Sequence, residues 1–319
     1  MPAHGHGLGR YLVRRGVGSV IVITLVILCV SLVFETLADP VVIDLGPYAG
    51  EVAYRARRQD LGLDAPYLDR ALGQLRSAWT LEWGYSPSQR RSVSTTLMDR
   101  LGPTLAYAIP GFCIATTTAL GAALWQVQHE GGAVARCLRT ASALAVSLSS
   151  LIVVIMGQYL LAHRLGWFPV IGWPLRDPAP HGLWWYVALP SLLCGFLQWG
   201  PDCRMYRALL VHEARKPHLD ALRARGVGRW RVRLHLIHGI LGPLLTRIVQ
   251  RLPYLLVGSI VIEQVFNIPG LGDVIVVAVK TSDLALIRGL AVALALATVT
   301  GQLIGDIAAG MIDPRMRTW

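Results

Sequence analysis

The sequence predicts an all-α integral membrane protein with six transmembrane helices, on the evidence of its composition and its hydropathy pattern. Of its 319 residues, 54% are hydrophobic and only 15% are charged, whereas soluble domains carry about 25% charged residues. A helix needs about 20 apolar residues to cross the hydrocarbon core of a bilayer. Six segments meet this requirement: residues 16–37, 103–125, 141–163, 183–202, 244–265 and 285–309.

The basic residues predict how these helices are oriented. An even number of spans places both termini on the same side of the membrane. Cytoplasmic loops of membrane proteins are enriched in Lys and Arg, and with cytoplasmic termini the inside segments hold more of these cations than the outside segments. Nine of them lie between residues 203 and 242. We therefore predict that both termini are cytoplasmic.

Charge and residue pattern also argue against several classes of protein. A net charge of +11 is compatible with nucleic-acid binding only on a water-soluble basic face, and here the cations lie between membrane-length apolar segments, where anionic lipid attracts them. The five cysteines do not form the pattern of a disulfide framework. No metal-ligand spacing and no catalytic arrangement stands out, so we predict no metal site and no enzymatic activity on this chain.

The chain divides into three predicted parts. Residues 1–37 form a tail and the first helix, residues 38–101 an external segment, and residues 102–319 a core with five helices. The external segment is too long for a connector, and Tyr67 to Trp79 shows the three-to-four spacing of an amphipathic helix. Two interpretations stay open: a helix lying on the membrane surface, or a small external subdomain that contacts a soluble partner.

The most informative segment is the basic loop at residues 203–243, between the fourth and fifth predicted spans. Pro217 predicts the start of a short helix there, because the N–H that proline lacks would be unpaired at a first helical position. Gly226 predicts its end, because glycine readily adopts the left-handed conformation of a helix cap. The loop therefore contains a predicted cytoplasmic helix.

This predicted helix has an apolar stripe with basic flanks. Leu219 and Leu222 fall on one side, and Arg223 and Arg225 flank them. A short helix of this kind suits a groove on a soluble domain. The alternative is a basic loop that rests on lipid headgroups.

Two arginines lie unusually deep in the fifth predicted span. Arg247 and Arg251 are four residues apart and so share one helical face. A charge at the bilayer centre costs at least about 2.5–3.5 kcal/mol, so this face is expected to meet water, a partner helix or an acid. We predict that both line the cytoplasmic half of a translocation pathway; the alternative is that they extend to the cytoplasmic interface.

The fifth and the sixth predicted spans each contain one acid. Glu263 is at the outer end of the fifth span; we predict that it is a third residue of the translocation pathway, where it would act at the external gate, or that it holds the turn at residues 269–272. Asp306 lies in the sixth span. An acid in the membrane is costly without a partner, so we predict a structural ion pair for Asp306; the alternative is a role in proton relay.

Several motifs occur in an order that resembles one family over nearly the whole chain. Each is weak alone, but the ordered set is specific. The chain resembles the permease subunit of dipeptide/oligopeptide/nickel-type ABC importers, in the class that begins with a long external loop. The motifs are Ala38-Asp-Pro40, Leu61-Gly-Leu-Asp-Ala-Pro66, Trp83-Gly-Tyr-Ser86, Arg164-Leu-Gly-Trp-Phe-Pro169, Asp220 to Gly226, Phe266-Asn-Ile-Pro-Gly-Leu-Gly272, Asp306 and Ile312-Asp-Pro-Arg315.

The resemblance assigns a role to the cytoplasmic helix. In this family a loop with the pattern Glu-Ala-Ala, three variable residues and Gly docks on an ATPase. Asp220, Ala221 and Leu222 occupy the first three places and Gly226 the last, with Asp for Glu and Leu for the second Ala as departures. The coupling residues implied here are Leu219, Asp220, Ala221, Leu222, Arg223, Arg225 and Gly226.

The resemblance also implies an assembly and a location. A permease of this kind works in the bacterial inner membrane with a second permease subunit, two cytoplasmic ATPase subunits and an external substrate-binding protein. ATP and magnesium would bind the ATPase chains, since this chain has no Gly-x4-Gly-Lys-Ser/Thr loop, and it would carry no cofactor of its own. Short peptides are the expected substrate, with nickel complexes or another small polar solute as alternatives.

A further departure and one rival interpretation accompany the resemblance. The family often has a proline near the start of the third span, where this chain reads Leu148-Ser-Ser-Leu151. Serine bends helices by bonding back to a carbonyl, so a weaker kink is expected. The rival is a secondary transporter or channel, which would predict an inverted repeat with paired broken helices; no such repeat is visible.

Overall fold

The computed structural model describes residues 6–37, 41, 50–60, 73, 75–77, 80, 82–174, 182–257 and 260–312. Within these ranges the chain is almost entirely helical, with one two-stranded antiparallel hairpin that pairs Tyr85 with Ser92 and Ser86 with Arg91. Most of the predicted amphipathic helix at Tyr67 to Trp79 lies outside the described residues, so neither interpretation of it is tested.

The described chain contains both long and short helices. The elements are α1 (His6–Leu37), α2 (Glu51–Asp60), β1 (Tyr85–Ser86), β2 (Arg91–Ser92), α3 (Val93–Gln128), α4 (Ala133–Ser147), α5 (Ser150–Gly157) with a π-helical continuation (Gln158–Arg164), α6 (Leu183–Ala214), α7 (Pro217–Ala224), α8 (Arg229–Val257), α9 (Ile260–Phe266), α10 (Leu271–Lys280) and α11 (Leu284–Ile312).

Between four and six segments of the described chain are long and apolar enough to cross a membrane. Four are single helices, and two are bent pairs that count if each pair is one span. The pairs are α4 with α5 and its continuation, bent by 103°, and α9 with α10, bent by 88°. The single helices are Val13–Val30, Val93–Gln128, Trp230–Arg251 and Leu284–Ile307.

These candidates agree with the predicted spans in part. The predicted spans at residues 16–37, 103–125 and 285–309 lie within α1, α3 and α11. The span predicted at residues 183–202 lies in α6, which is long enough to cross a membrane but is not apolar enough to be one of the candidate spans. The span predicted at 244–265 instead runs across the end of α8 and into α9.

The third predicted span, at residues 141–163, differs most from expectation. The chain leaves the helical conformation at Leu148, whose ψ of 135° is extended, and Ser149 has a ψ of 131°. A weak serine-induced kink was expected, but the helix is broken and turned by 103°. The sequence Leu148-Ser-Ser-Leu151 therefore produces a break in place of a bend.

The centre of the fold is the packing of α3 against α6, the most extensive helix contact in the described chain. Small residues allow the close approach, as is usual between membrane helices. A Cβ on Gly111 would lie 2.8 Å from the carbonyl oxygen of Ser191 and 2.9 Å from the Cβ of Cys194. A Cβ on Gly195 would lie 3.0 Å from the carbonyl oxygen of Gly111. Neither glycine can be enlarged without separating the two helices.

The first and last helices are also held together. Arg15 near the start of α1 forms an ion pair with Asp306 near the end of α11, at 3.0 Å. The structural ion pair predicted for Asp306 is confirmed. Since α1 and α11 run antiparallel in this pair, the beginning of α1 and the end of α11 lie at the same end of the helix bundle.

At the opposite end, the β-hairpin is fastened to the turn that precedes α11. The buried carboxylate of Asp283 accepts hydrogen bonds from the hydroxyls of Ser86 at 2.6 Å and Ser88 at 2.7 Å. Its second oxygen accepts from the backbone N–H of Leu286 at 3.0 Å. Burial opposes ionisation of Asp283, but these hydrogen bonds outweigh it and hold its pKa below the ordinary value. The hairpin is therefore part of the folded core.

Candidate coupling helix and translocation pathway

The predicted cytoplasmic helix is present as α7, between the long helices α6 and α8, and it begins at Pro217 as expected. Gly226 has φ +71°, and the N–H of Val227 donates to the carbonyl oxygen of Leu222 at 3.2 Å. This is the hydrogen bond of a Schellman motif, in which a left-handed glycine ends a helix. The predicted start of the helix at Pro217 and its predicted end at Gly226 are confirmed.

The apolar stripe of α7 faces its own chain. Leu219 is completely buried and belongs to a cluster with Tyr206 and Leu210 of α6 and Leu236 and Ile240 of α8. The prediction that Leu219 inserts into a groove of a partner needs correction, because no surface of this side chain is left for a partner. The stripe anchors α7 to α6 and α8.

Of the remaining coupling candidates, two are exposed, one is partly buried, and the side chains of three are not described. Arg225 and Gly226 are exposed at the end of α7, and Leu222 packs partly buried against the anchoring cluster. The side chains of Asp220, Ala221 and Arg223 lie outside the described residues. Among the described residues, Ala224, Arg225 and Gly226 at the end of α7 are therefore the ones available to a partner.

A buried acid fastens the start of α7. Glu213, near the end of α6, is 4% exposed and forms an ion pair with Lys216 at 2.6 Å. Its side chain occupies the space where a Cβ on Gly239 of α8 would lie. This contact was not predicted from the sequence, although Glu213 is one of only two acids in the basic loop.

The two arginines of the fifth predicted span have different surroundings. Arg251 forms an ion pair with Asp202 of α6 at 2.6 Å and donates to the side-chain oxygen of Gln198 at 2.7 Å. Arg247 lies one turn away on α8, and its Nε is buried without a hydrogen-bond partner in the described chain. The sequence predicted that an acid, water or a partner helix would meet this face, and for Arg251 the acid is Asp202.

Glu263 forms a second centre on α9. Its carboxylate is 1% exposed and accepts hydrogen bonds from the hydroxyls of Thr104 at 2.8 Å and Tyr107 at 3.1 Å, both on α3. Its other oxygen accepts from the backbone N–H of Asp273 at 3.0 Å. Thr104 also accepts from the N–H of Leu271 at 2.8 Å. The carboxylate thus joins α3 to the turn between α9 and α10.

Glycine is required in that turn because Glu263 fills it. A Cβ on Gly270 would clash with the Glu263 carboxylate, and a Cβ on Gly272 would lie 3.0 Å from one of its oxygens. This geometry supports the second of the two predicted roles of Glu263, which is to hold the turn. The structure therefore does not bring the three predicted pathway residues together: Glu263 binds α3, whereas Arg251 binds α6.

Comparison with known proteins fits this arrangement of helices. Residues 111–318 match the family described as binding-protein-dependent transport system inner membrane component. The chain belongs to this family. The match covers α7, both arginines and Glu263, so every candidate site residue lies inside the family's own region.

Several curated relatives match this permease from end to end. The glutathione transport system permease protein GsiC of Shigella flexneri serotype 5b is 28% identical over 317 residues, which cover 97% of this chain and 99% of the relative. GsiC of Escherichia coli strain K12 has the same identity and coverage. A Brucella suis biovar 1 protein named "Putative peptide permease protein" is 26% identical with the same coverage.

Three site residues of the permease were not predicted from its sequence. Asp202 and Gln198 lie at the end of an apolar segment, where an isolated acid or amide gives little indication of its partner 50 residues later. Thr104 sits among apolar residues of α3 and is indistinguishable by pattern from a threonine that bonds its own helix. Within the described residues no group of three or more His, Cys, Asp or Glu is placed to hold a metal ion.

Proposed function

We propose that this permease forms, together with a second permease subunit, the pathway of an ATP-driven importer for short peptides. The observation that carries the proposal is α7: a short helix, anchored through Leu219 and ended by an exposed Gly226, that joins α6 to α8. A rigidly anchored helix transmits the movement of a docked ATPase to the long helices on both sides. Rigid-body movement of this kind underlies many switching transitions.

The substrate class rests on the relatives. Two are named for glutathione, which is a tripeptide, and one for peptides. Peptides carry a backbone and terminal charges in common, so a pathway that meets those groups tolerates many side chains. Short peptides therefore suit a permease whose selectivity is set by an external binding protein.

The proposed topology has six spans with both termini cytoplasmic. It is supported by the Arg15–Asp306 ion pair, which joins the beginning of α1 to the end of α11. The basic segment around α7 then lies on the side that the positive-inside rule assigns to the cytoplasm. The Asp283 hairpin lies at the other, external end, where a substrate-binding protein would dock.

Arg247 is the pathway residue that the geometry supports best. The charge of Arg251 is compensated by Asp202, so the pair Arg247 and Arg251 retains one positive charge in excess of that acid. A positive charge in a water-filled pathway attracts the carboxylate of a peptide. We assign Arg251 to holding α8 in place, and Arg247 to contact with an anionic group of the substrate.

Co-purification tests the coupling role. The permease is expressed with its neighbouring transport genes, and ATPase recovered with it is quantified by mass spectrometry. The double variant Asp220→Ala/Gly226→Ala is expected to lose the ATPase, whereas Gly228→Ala, two residues away at a position without a positive φ, is expected to retain it. Full ATPase recovery with the double variant would contradict the assignment of α7 as the helix that docks on the ATPase.

Transport by the reconstituted complex tests the substrate. Uptake of labelled glutathione, a dipeptide and a nickel chelate is compared in vesicles that contain the cognate binding protein and internal ATP. Peptide uptake that depends on ATP supports the proposal. Uptake of the nickel chelate alone, or peptide uptake that continues without ATPase subunits, contradicts it.

A further inference from the structure

Two open groups of opposite charge lie where α6 packs against α8. The side chain of Asp202 is 1% exposed, and Arg251 contacts its Oδ1 atom at 2.6 Å. The second oxygen, Oδ2, is buried without a hydrogen-bond partner in the described chain, and the same holds for Nε of Arg247. An anionic acceptor and a cationic donor are therefore both open at one helix contact.

The register of the two helices places these groups near each other. Glu213 of α6 packs against Gly239 of α8. Asp202, about three turns earlier on α6, pairs with Arg251, about three turns later on α8. The two helices therefore run antiparallel, and Arg247 lies about 6 Å along the contact from the level of Arg251. At this separation the charge of Arg247 acts on Asp202.

A change of side-chain conformation is enough to join the two open groups. The buried cluster around Leu219 holds α6 and α8 in a fixed register, so no sliding of the helices is involved. An arginine side chain carries its donors at the end of a long flexible stem, and charged groups inside membrane helices pair with one another. Asp202 can therefore bind Arg251 alone or Arg251 and Arg247 together.

A peptide carboxylate and the carboxylate of Asp202 offer Arg247 the same chemical group. Arg247 can donate to the substrate only while it is turned away from Asp202. The apparent affinity for a ligand falls in proportion to the fraction of time that its binding group is free. The acid and the substrate would thus exclude each other at one guanidinium.

We propose that Asp202 is an internal competitor of the substrate, which binds Arg247 through Oδ2 and displaces a peptide carboxylate from it. The inference rests on the proposed function, because it takes Arg247 as a contact of the substrate. In the described arrangement Arg247 is open to the substrate, whereas its pairing with Asp202 releases the peptide. Arg251 holds the carboxylate of Asp202 in position in both arrangements.

A double-mutant cycle of stability tests whether Arg247 reaches Asp202. The effect of Arg247→Gln on the melting temperature of the solubilised permease is measured in the unmodified chain and in Arg251→Gln. Without Arg251, Arg247 takes over part of the pairing with Asp202, but not the hydrogen bond to Gln198. Arg247→Gln is therefore expected to lower the melting temperature about twice as far in the Arg251→Gln chain, because residues that share a partner are coupled. Equal effects in the two chains would overturn the inference.

Equilibrium binding tests the competition itself. A dipeptide and its C-terminal amide are bound to the purified complex of permease and ATPase subunits without ATP. The double variant Asp202→Asn/Arg251→Gln removes one negative and one positive charge, so the net charge is kept while the competitor is lost. Affinity for the dipeptide is expected to rise about tenfold, which corresponds to an Arg247 that is free about one tenth of the time. Affinity for the amide is expected to stay the same, and so are both affinities in the control Gly242→Ala on the same helix.

The outcomes separate this inference from the proposed function. If Arg247→Gln leaves the preference for the dipeptide over its amide unchanged, or if the unmodified complex has no such preference, then Arg247 does not bind the substrate and the proposed pathway fails. If Arg247→Gln abolishes the preference but Asp202→Asn/Arg251→Gln does not strengthen it, or changes both affinities equally, then the competition is overturned and the proposed function stands.

Discussion

Arg251 and Asp202 form an ion pair of 2.6 Å that joins α8 to α6, and the side chain of Asp202 is 1% exposed. Removing one member of a buried pair leaves the other charged and uncompensated, at a cost of about 3–5 kcal/mol. We expect Arg251→Gln and Asp202→Asn each to lower the melting temperature of the detergent-solubilised permease strongly. The double variant should be more stable than either single variant, because it leaves no unpaired charge.

Arg247→Gln is the matched variant for this prediction. Arg247 lies on the same face of α8, and its Nε lacks a hydrogen-bond partner in the described chain. We expect the Arg247→Gln variant to melt close to the temperature of the unmodified permease but to lose uptake of peptides with a free carboxylate. A loss of stability equal to that of Arg251→Gln would show that Arg247 is structural and would remove it from the pathway.

The second prediction concerns Glu263. Its carboxylate accepts from Thr104, Tyr107 and the N–H of Asp273, and a glutamine would direct an N–H₂ group at some of these donors. Leaving a buried polar group unsatisfied costs about 1–3 kcal/mol. We expect Glu263→Gln to destabilise the permease by that amount and to accelerate hydrogen exchange at residues 267–273. Val279→Ala, at a position 62% exposed near the end of α10, should change neither; a Glu263→Gln variant of normal stability would contradict the role of Glu263 in holding the turn.

How far the sequence predicted this site depended on whether the interaction was local. Pro217 and Gly226 act through the conformation of their own backbone, and that conformation follows from the residue type alone. The start and the end of α7 were therefore predictable. The partner of Arg251 was not, because Asp202 is about 50 residues away and only the packing of α6 against α8 brings the two together.

The burial of Leu219 also depends on a non-local contact that the sequence did not predict. An apolar stripe on a short helix predicts that the stripe is covered, but not by what. The sequence pattern suggested a partner protein, and the structure covers Leu219 with Leu236 and Ile240 of the same chain. The break at Ser149 was also underestimated, because serine propensity predicts a bend and the tertiary contacts of α5 with α6 decide its size.

A third prediction follows from the conformation of Gly226. Its φ is +71°, a region that costs an alanine about 1–2 kcal/mol. Gly226→Ala is expected to fray the last turn of α7 and to reduce peptide uptake several-fold at normal levels of permease. Gly228→Ala should have no effect, since a Cβ there meets nothing within 4 Å and φ is not positive. Equal effects of the two variants would argue against the Schellman motif.

A fourth prediction concerns the contact between Glu213 and Gly239. The buried Glu213 side chain occupies the position of a Gly239 Cβ and is also paired with Lys216. Gly239→Ala must displace it and so loosen the start of α7. We expect reduced recovery of ATPase subunits with this variant. Gly242→Ala is the control: it lies on the same helix with nothing within 4 Å of its Cβ and should leave the recovery of ATPase unchanged. Full recovery with Gly239→Ala would show that the contact has no role in docking.

The last prediction is a pH dependence at the external end. Burial opposes the ionisation of Asp283, but hydrogen bonds from Ser86 and Ser88 outweigh it and keep its pKa below the ordinary value, which is about 3.9. A lowered pKa means that the charged form stabilises the fold. This stabilisation is fully present above about pH 4–5, and it is lost as the pH falls through the lowered pKa.

The loss of this stabilisation at low pH is measured by hydrogen exchange of the hairpin, corrected for the intrinsic effect of pH on exchange. Exchange at residues 85–92 should stay slow from pH 7 to about 5 and accelerate below the ordinary pKa of an aspartate, near 4. Asp283→Asn should exchange fast at every pH, because its amide cannot accept all the bonds that the carboxylate accepts. Asp99→Asn removes only an exposed ion pair with Arg91 and should behave as the unmodified chain. An Asp283→Asn hairpin that stays protected at pH 7 would show that the carboxylate does not hold the hairpin.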